Sequence, residues 1–181
     1  MSIKKIVKKQ TAEVIIKINP LKAHEPSGKP VVTSVANIVL FFNCSSPEEI
    51  ESITTFLVKI DNNFNIGHVL VYSNLDKIVN KKMHNKIKII TDDDFNIFGG
   101  LKQDFDDWLS NNNFDILISF ADDCDLFCNK IIANISAVFK AGSFNKENLD
   151  LFDLTINNAA GNYTNKFEHF IHYINKLNIN T

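Results

Sequence analysis

The sequence predicts an α/β fold: a Rossmann-like three-layer sandwich whose mainly parallel sheet has five or six strands, preceded by a basic N-terminal extension. Three observations carry this. Short, almost continuous apolar runs at 37–42, 67–73 and 114–121 have the character of strands covered on both faces. Between such runs lie segments with apolar residues at helical spacing, and the two kinds alternate along the chain. Finally, Asp and Asn cluster where the strands should end, as turn and cap residues do.

The 181 residues are 45% hydrophobic and 22% charged, with a net charge of −2, which suits one soluble globular domain. No Arg occurs anywhere, so bidentate guanidinium contacts to phosphate or guanine are excluded and no specific DNA reading is expected. Cys44, Cys124 and Cys128 form an odd set, which argues for reduced thiols and a cytoplasmic setting. Neither a signal peptide nor a membrane span is read.

Residues 1–35 read as an extension and linker. Lys4, Lys5, Lys8 and Lys9 make its start basic, and Pro20, Pro26, Gly28 and Pro30 break regular structure after it. The four lysines, with Ile3, Ile6 and Val7 among them, are candidates for contact with an anionic partner, a membrane or ribosomal phosphates.

A single domain is expected over 36–181. Its first strand, 37–42, turns at Asn43–Ser46 into a helix. Ser46 is the expected N-cap, Pro47 takes the first helical position, and Glu49 closes a capping box. Ile50, Ile53, Phe56, Leu57 and Ile60 give that helix its apolar stripe. Strand 67–73 completes a β-α-β unit, for which a right-handed crossover is expected. A polar connection over 74–85 leads to a partly alternating strand, 86–90, placed towards an edge. Phe105, Trp108 and Leu109 oppose Asp104, Asp106 and Asp107 on the next helix. The run 114–121 is expected to be the central strand. Asp125 then caps a helix carrying Phe127, Cys128, Ile131, Ile132 and Ile135. Strands follow at 137–142 and 151–156, and a last helix presents Phe167, Phe170, Ile171, Ile174 and Leu177.

Several pieces, taken in order, resemble a family of uncharacterised proteins common in Bacteroidota and known as a domain of unknown function. They are Phe95–Lys102, Phe114–Ser119, Val138–Gly142 and Leu151–Leu154. The resemblance covers roughly residues 36–177 and brings no assigned catalytic residue. The basic start also looks like that family, whose members are usually richer in Arg there. A looser similarity is to the first half of heptosyltransferase-type glycosyltransferases, where an Asp-hydrophobic strand leads through a helix to a short strand ending in Gly. It amounts to fold analogy, since the second, nucleotide-sugar-binding half has no counterpart here.

Open α/β sheets bind ligands beyond the carboxyl ends of their strands. The candidate ligand residues are therefore Ser45, Ser46, Asp92, Asp93, Asp94, Asp122, Asp123 and Asp125. Clustered carboxylates can hold Mg²⁺ or raise one another's pKa. They also serve as caps and turn residues, and that is the first reading here, because no partner motif accompanies them. The turn at Asn43–Ser46 has no glycine, and neither dinucleotide nor P-loop fingerprints occur. Cys124 and Cys128, at i and i+4, are not a C-x-x-C pair. His169 and His172 fall off the stripe of the last helix and have no third ligand. No catalytic set, metal site or cofactor is expected. The function expected is a non-catalytic cytoplasmic α/β module that binds a protein or small-molecule partner. The alternative is a small enzyme, or a nucleotide or sugar-phosphate binder, using the acidic residues at the strand ends.

Overall fold

The computed structural model describes residues 36–73, 84–146, 148–157 and 161–179. The N-terminal extension with Lys4, Lys5, Lys8 and Lys9, and most of the 74–85 connection, lie outside the described residues.

In chain order the elements are β1 (Ile38–Cys44), α1 (Pro47–Ile60), β2 (Ile66–Ser73), β3 (Ile87–Ile90), a 3₁₀ turn (Asp92–Asp94), α2 (Gln103–Ser110), β4 (Phe114–Ser119), α3 (Leu126–Asn134), β5 (Ala137–Ser143), a second 3₁₀ turn (Leu149–Leu151), β6 (Leu154–Ile156) and α4 (Tyr163–Ile179). The six strands form one sheet in the order β3-β2-β1-β4-β5-β6, with every neighbouring pair parallel. This is the doubly wound arrangement, in which the strand order reverses between β1 and β4.

Period-two alternation along the strands assigns each side chain to a layer. From β1, Ile38, Leu40 and Phe42 join Ile53, Phe56 and Leu57 of α1 and Phe167, Phe170 and Ile174 of α4 in one core. Val39 and Phe41 point the other way, to Phe105 and Leu109 of α2 and Phe127, Ile131 and Ile132 of α3. In β4, Ile116 and Ile118 face the first core and Leu117 the second; all three are fully buried. Burying each such side chain contributes about 1.5–3 kcal/mol. The central position expected for this strand is the observed one.

Four details differ from the sequence reading. The run at 151–156 is not one strand: Leu149–Leu151 makes a 3₁₀ turn, and only Leu154–Ile156 pairs with β5. Phe152 instead lies across Gly142 of β5, so close that a Cβ there would come within 2.5 Å of the ring. The Asp153 amide donates to Lys140 O at 2.8 Å, and its carboxylate accepts from the Lys140 amide at 2.7 Å. Leu177, assigned to the apolar stripe of the last helix, is 46% exposed, because the stripe is buried only as far as Ile174. The capping box closes one residue early. Ser46 Oγ accepts from the Glu49 amide at 3.4 Å as expected, but the Glu49 carboxylate accepts from the Ser45 amide at 2.8 Å, not from Ser46. Finally, the expectation of reduced thiols fails for one pair. Cys124 and Cys128 are joined as a disulfide: Cys124 lies just before the Asp125 cap and Cys128 in the first turn of α3, with their Cα atoms 5.2 Å apart, within bridging range; Cys44 is free and buried.

Candidate functional site

The place to look for a site in this topology is the crevice beyond β1 and β4, where the strand order reverses. Its floor is aromatic. Phe42 at the end of β1 stacks on Phe120, which follows β4, at 4.7 Å between ring centroids. Tyr163, the first residue of α4, stands edge-on to Phe42 at 5.0 Å and to Phe120 at 5.8 Å. Phe56 of α1 closes the group.

Polar groups then tie the two rims together. Asn43 Nδ2 donates to the backbone carbonyl of Asp123 at 2.7 Å, bridging the β1 and β4 sides. Lys166 Nζ reaches from α4 to Asp122 Oδ2 at 2.7 Å. Ser45 and Ser46 serve the start of α1: Ser46 as its cap, Ser45 by donating its amide and its hydroxyl to Glu49. The first turn of α1 is thus already faced by its own carboxylates, Glu48 and Glu49. Pro47 has no N–H to offer, and an incoming phosphate would also meet Asp122. A helix N-terminus ordinarily favours an anion; here the chain supplies its own.

Cys44 sits beneath this layer, 1% exposed. Burial, followed by the charge of Glu49 and a hydrogen bond to it, pushes its thiol up to about 12. Such a group is a small hydrophobe at neutral pH, not a nucleophile. Burial also moves Tyr163 up to about 12, helped by Cys44, Glu49 and Asp122.

The second acidic run is engaged in the same manner. Asp94 and Thr91 form a capping box on the first 3₁₀ turn, with the Thr91 amide donating to Asp94 Oδ2 at 2.7 Å. Asp92 accepts from the Tyr72 hydroxyl at 2.6 Å. Asp125 caps α3, accepting from the amides of Phe127 and Cys128 at 3.0 Å each, and also acts on Tyr72. Burial first, then these two carboxylates, hold the Tyr72 phenol well above its ordinary range. Of the acidic candidates, then, the structure brings Asp92 and Asp125 together around Tyr72. Asp93, Asp122 and Asp123 are exposed. Among the described residues no group of three or more His, Cys, Asp or Glu side chains converges as a metal site. His169 and His172 are exposed on α4.

A groove of about 460 Å³ between α1 and the start of α4 adjoins this aromatic floor: Phe56 and Tyr163 line it together with Glu48, Glu51, Lys59 and Asn162, and none of the candidate ligand residues does. Sequence reasoning missed Asn43, Tyr72, Tyr163 and Lys166. Only Tyr163 had a local signal, since it stands one turn ahead of Phe167 on the same stripe.

The molecule is therefore a doubly wound α/β chain whose strand-end crevice has an aromatic floor and rims bridged by its own side chains. It belongs to the family of unknown function DUF6913, whose family model matches residues 2–177. No curated protein and no solved structure matches the chain. No helix among the described residues is long and apolar enough to cross a membrane.

Proposed function

We propose that this chain is a non-catalytic α/β module that binds a partner and turns over no substrate. The observation that carries the reading is the engagement of the strand-end groups with one another: Asn43 with Asp123, Lys166 with Asp122, Tyr72 with Asp92, and Asp94 and Asp125 with the turns they cap. A ligand entering there would have to displace these contacts: those of Asp122 and Asp123 are exposed and contribute little each, while the part-buried Tyr72–Asp92 pair and the Asp125 cap would cost about 1–3 kcal/mol each to leave unsatisfied. The lack of Arg fits the same reading and disfavours sequence-specific DNA contact. A cytoplasmic setting belongs to the proposal; the free Cys44 thiol supports it and the Cys124–Cys128 disulfide counts against it.

The strand order itself favours a second reading, a nucleotide or sugar-phosphate binder, because the same order in other proteins places such ligands at the β1/β4 crevice. A thermal-shift panel separates the two. Ligands that bind only the folded chain raise its melting temperature with concentration. Nucleoside diphosphates and triphosphates, nucleotide sugars and sugar phosphates, with and without Mg²⁺, are expected to leave it unchanged. A saturable rise that Lys166→Ala removes would overturn the proposal.

A further inference from the structure

The loop Asn96–Gly100, between Phe95 and Leu101 of the second core, takes part in none of the strand-end contacts. Its two ends are anchors. Phe95 and Leu101 are buried and bridge each other in antiparallel fashion, and Phe95 stacks on Phe127 at 4.4 Å. Between them the chain turns out and back within five residues. Asn96 Oδ1 accepts from the amides of Phe98 (2.9 Å) and Gly100 (3.0 Å), its own amide donates to Gly100 O (2.7 Å), and Gly99 N donates to Asn96 O (3.1 Å). Gly99 takes a φ of 74°, open to glycine at little cost, and a Cβ on Gly100 would come within 2.8 Å of Asn96 Nδ2. This hydrogen-bonded frame carries Ile97 and Phe98 at its tip, 68% and 61% exposed.

Single exposed apolar residues are ordinary on a protein surface. Two large neighbours on a loop held by four backbone-directed hydrogen bonds are a different object. Little ordering entropy remains to be lost when they are covered, which is the condition under which an apolar anchor is most effective.

The charge around the loop says what covers it. Between residues 92 and 107 there are six aspartates and one lysine, Lys102. The Lys102 amide donates to Asp94 O at 2.8 Å, so the two arms of the loop rise from an acidic base. Asp93, Asp104, Asp106 and Asp107 are exposed. Two further lysines approach this surface: Lys88, held over the Trp108 and Phe105 rings, and Lys130, facing Asp106. Among the described residues, six carboxylates against three ammonium groups leave a net negative rim. Anionic lipid headgroups would be repelled by it, and so would nucleic acid. A second copy docking by a two-fold contact would set the same acidic rim against itself.

We propose that Asn96–Gly100 is a preformed docking knob whose Ile97 and Phe98 enter an apolar pocket, rimmed by basic side chains, on a different protein. The proposal rests on the reading of this chain as a partner-binding module and assigns that module's contact surface. Two side chains do not make an interface of the usual 800 Å² per partner; they form its dry centre, and the surrounding aspartates form its polar rim.

The test uses the full chain in its native host, with a photoreactive amino acid in place of Ile97. The crosslinked protein is identified by mass spectrometry, purified, and titrated against the wild-type chain and three variants. The double variant Ile97→Ser/Phe98→Ser is expected to weaken binding at least about thirtyfold while keeping the wild-type melting temperature. Asp93→Lys/Asp104→Lys is expected to weaken it too, and added salt to weaken the wild-type complex. Val58→Ser, which removes an equally exposed apolar side chain from α1, is expected to bind as wild type. The proposal is overturned if no protein crosslinks, or if the double variant binds as wild type. It is also overturned if the wild-type chain instead sediments with phosphatidylglycerol vesicles, or if it self-associates through this loop. A purified partner that binds both wild type and double variant alike sinks the knob and leaves the module reading standing. A nucleotide-induced thermal shift sinks the module reading, and the crosslink scores the knob separately.

Discussion

Cys44 and Lys140 are both almost fully buried, and their pKa values move in opposite directions. Lys140 points its ammonium at the last carbonyls of α3, Ile132 O at 2.9 Å and Ala133 O at 3.2 Å, but burial still lowers it to about 8. Since the unfolded chain binds this proton more tightly, Lys140 makes stability rise with pH between about 8 and 10.5. Cys44 acts the other way. Its thiol keeps its proton in the folded chain up to about 12, against 9.0 when free, so its contribution is complete below pH 9 and is lost as pH rises to 12. Urea unfolding between pH 7.5 and 10.5 separates them. At pH 10.5, relative to pH 7.5, Cys44→Ala should gain about 2 kcal/mol over wild type, at 1.4 kcal/mol for each unit of linkage. Identical pH slopes in the two proteins would show that the thiol is not held as described.

At the scale of elements, caps and stripes were legible and partners across the chain were not. The start of α3 follows from Asp125 preceding Phe127 and Cys128, and that of α1 from Ser46-Pro47. β1, β2 and β4 were readable because a strand covered on both faces needs an unbroken apolar run, which no surface element tolerates. By the same logic 151–156 misled: Leu151 ends the second 3₁₀ turn and is buried in the second core, and Phe152 covers Gly142, so an apolar run was produced by packing and not by pairing. Asp125 bears the heaviest local duty of the acidic candidates. Asp125→Ala should cost about 1–2 kcal/mol in urea unfolding, the range for losing an N-cap, and Asp125→Asn should restore most of it. Equal losses in the two variants would mean that its charge beside Tyr72, not the cap, sets its role.

For the whole molecule, alternation of strands and helices was enough to predict a parallel sheet with two helical layers. The strand order and the fate of the strand ends were out of reach. Lys166 meets Asp122 across 44 residues, Tyr72 meets Asp92 across 20 and Asn43 meets Asp123 across 80. Such contacts are set by how layers stack, and nothing near either partner announces them. In the reading proposed here, these contacts close the usual ligand crevice of this topology. The acidic knob-bearing rim beside it, Asp92–Asp107, is left facing outward.

The most direct test of that closure is a ¹H–¹⁵N correlation spectrum of the full chain, titrated with a nucleoside diphosphate and then a sugar phosphate. The account predicts that the amides of Asn43–Ser46 and Asp122–Asp125 stay where they are at every concentration. A saturable shift confined to those amides would contradict it.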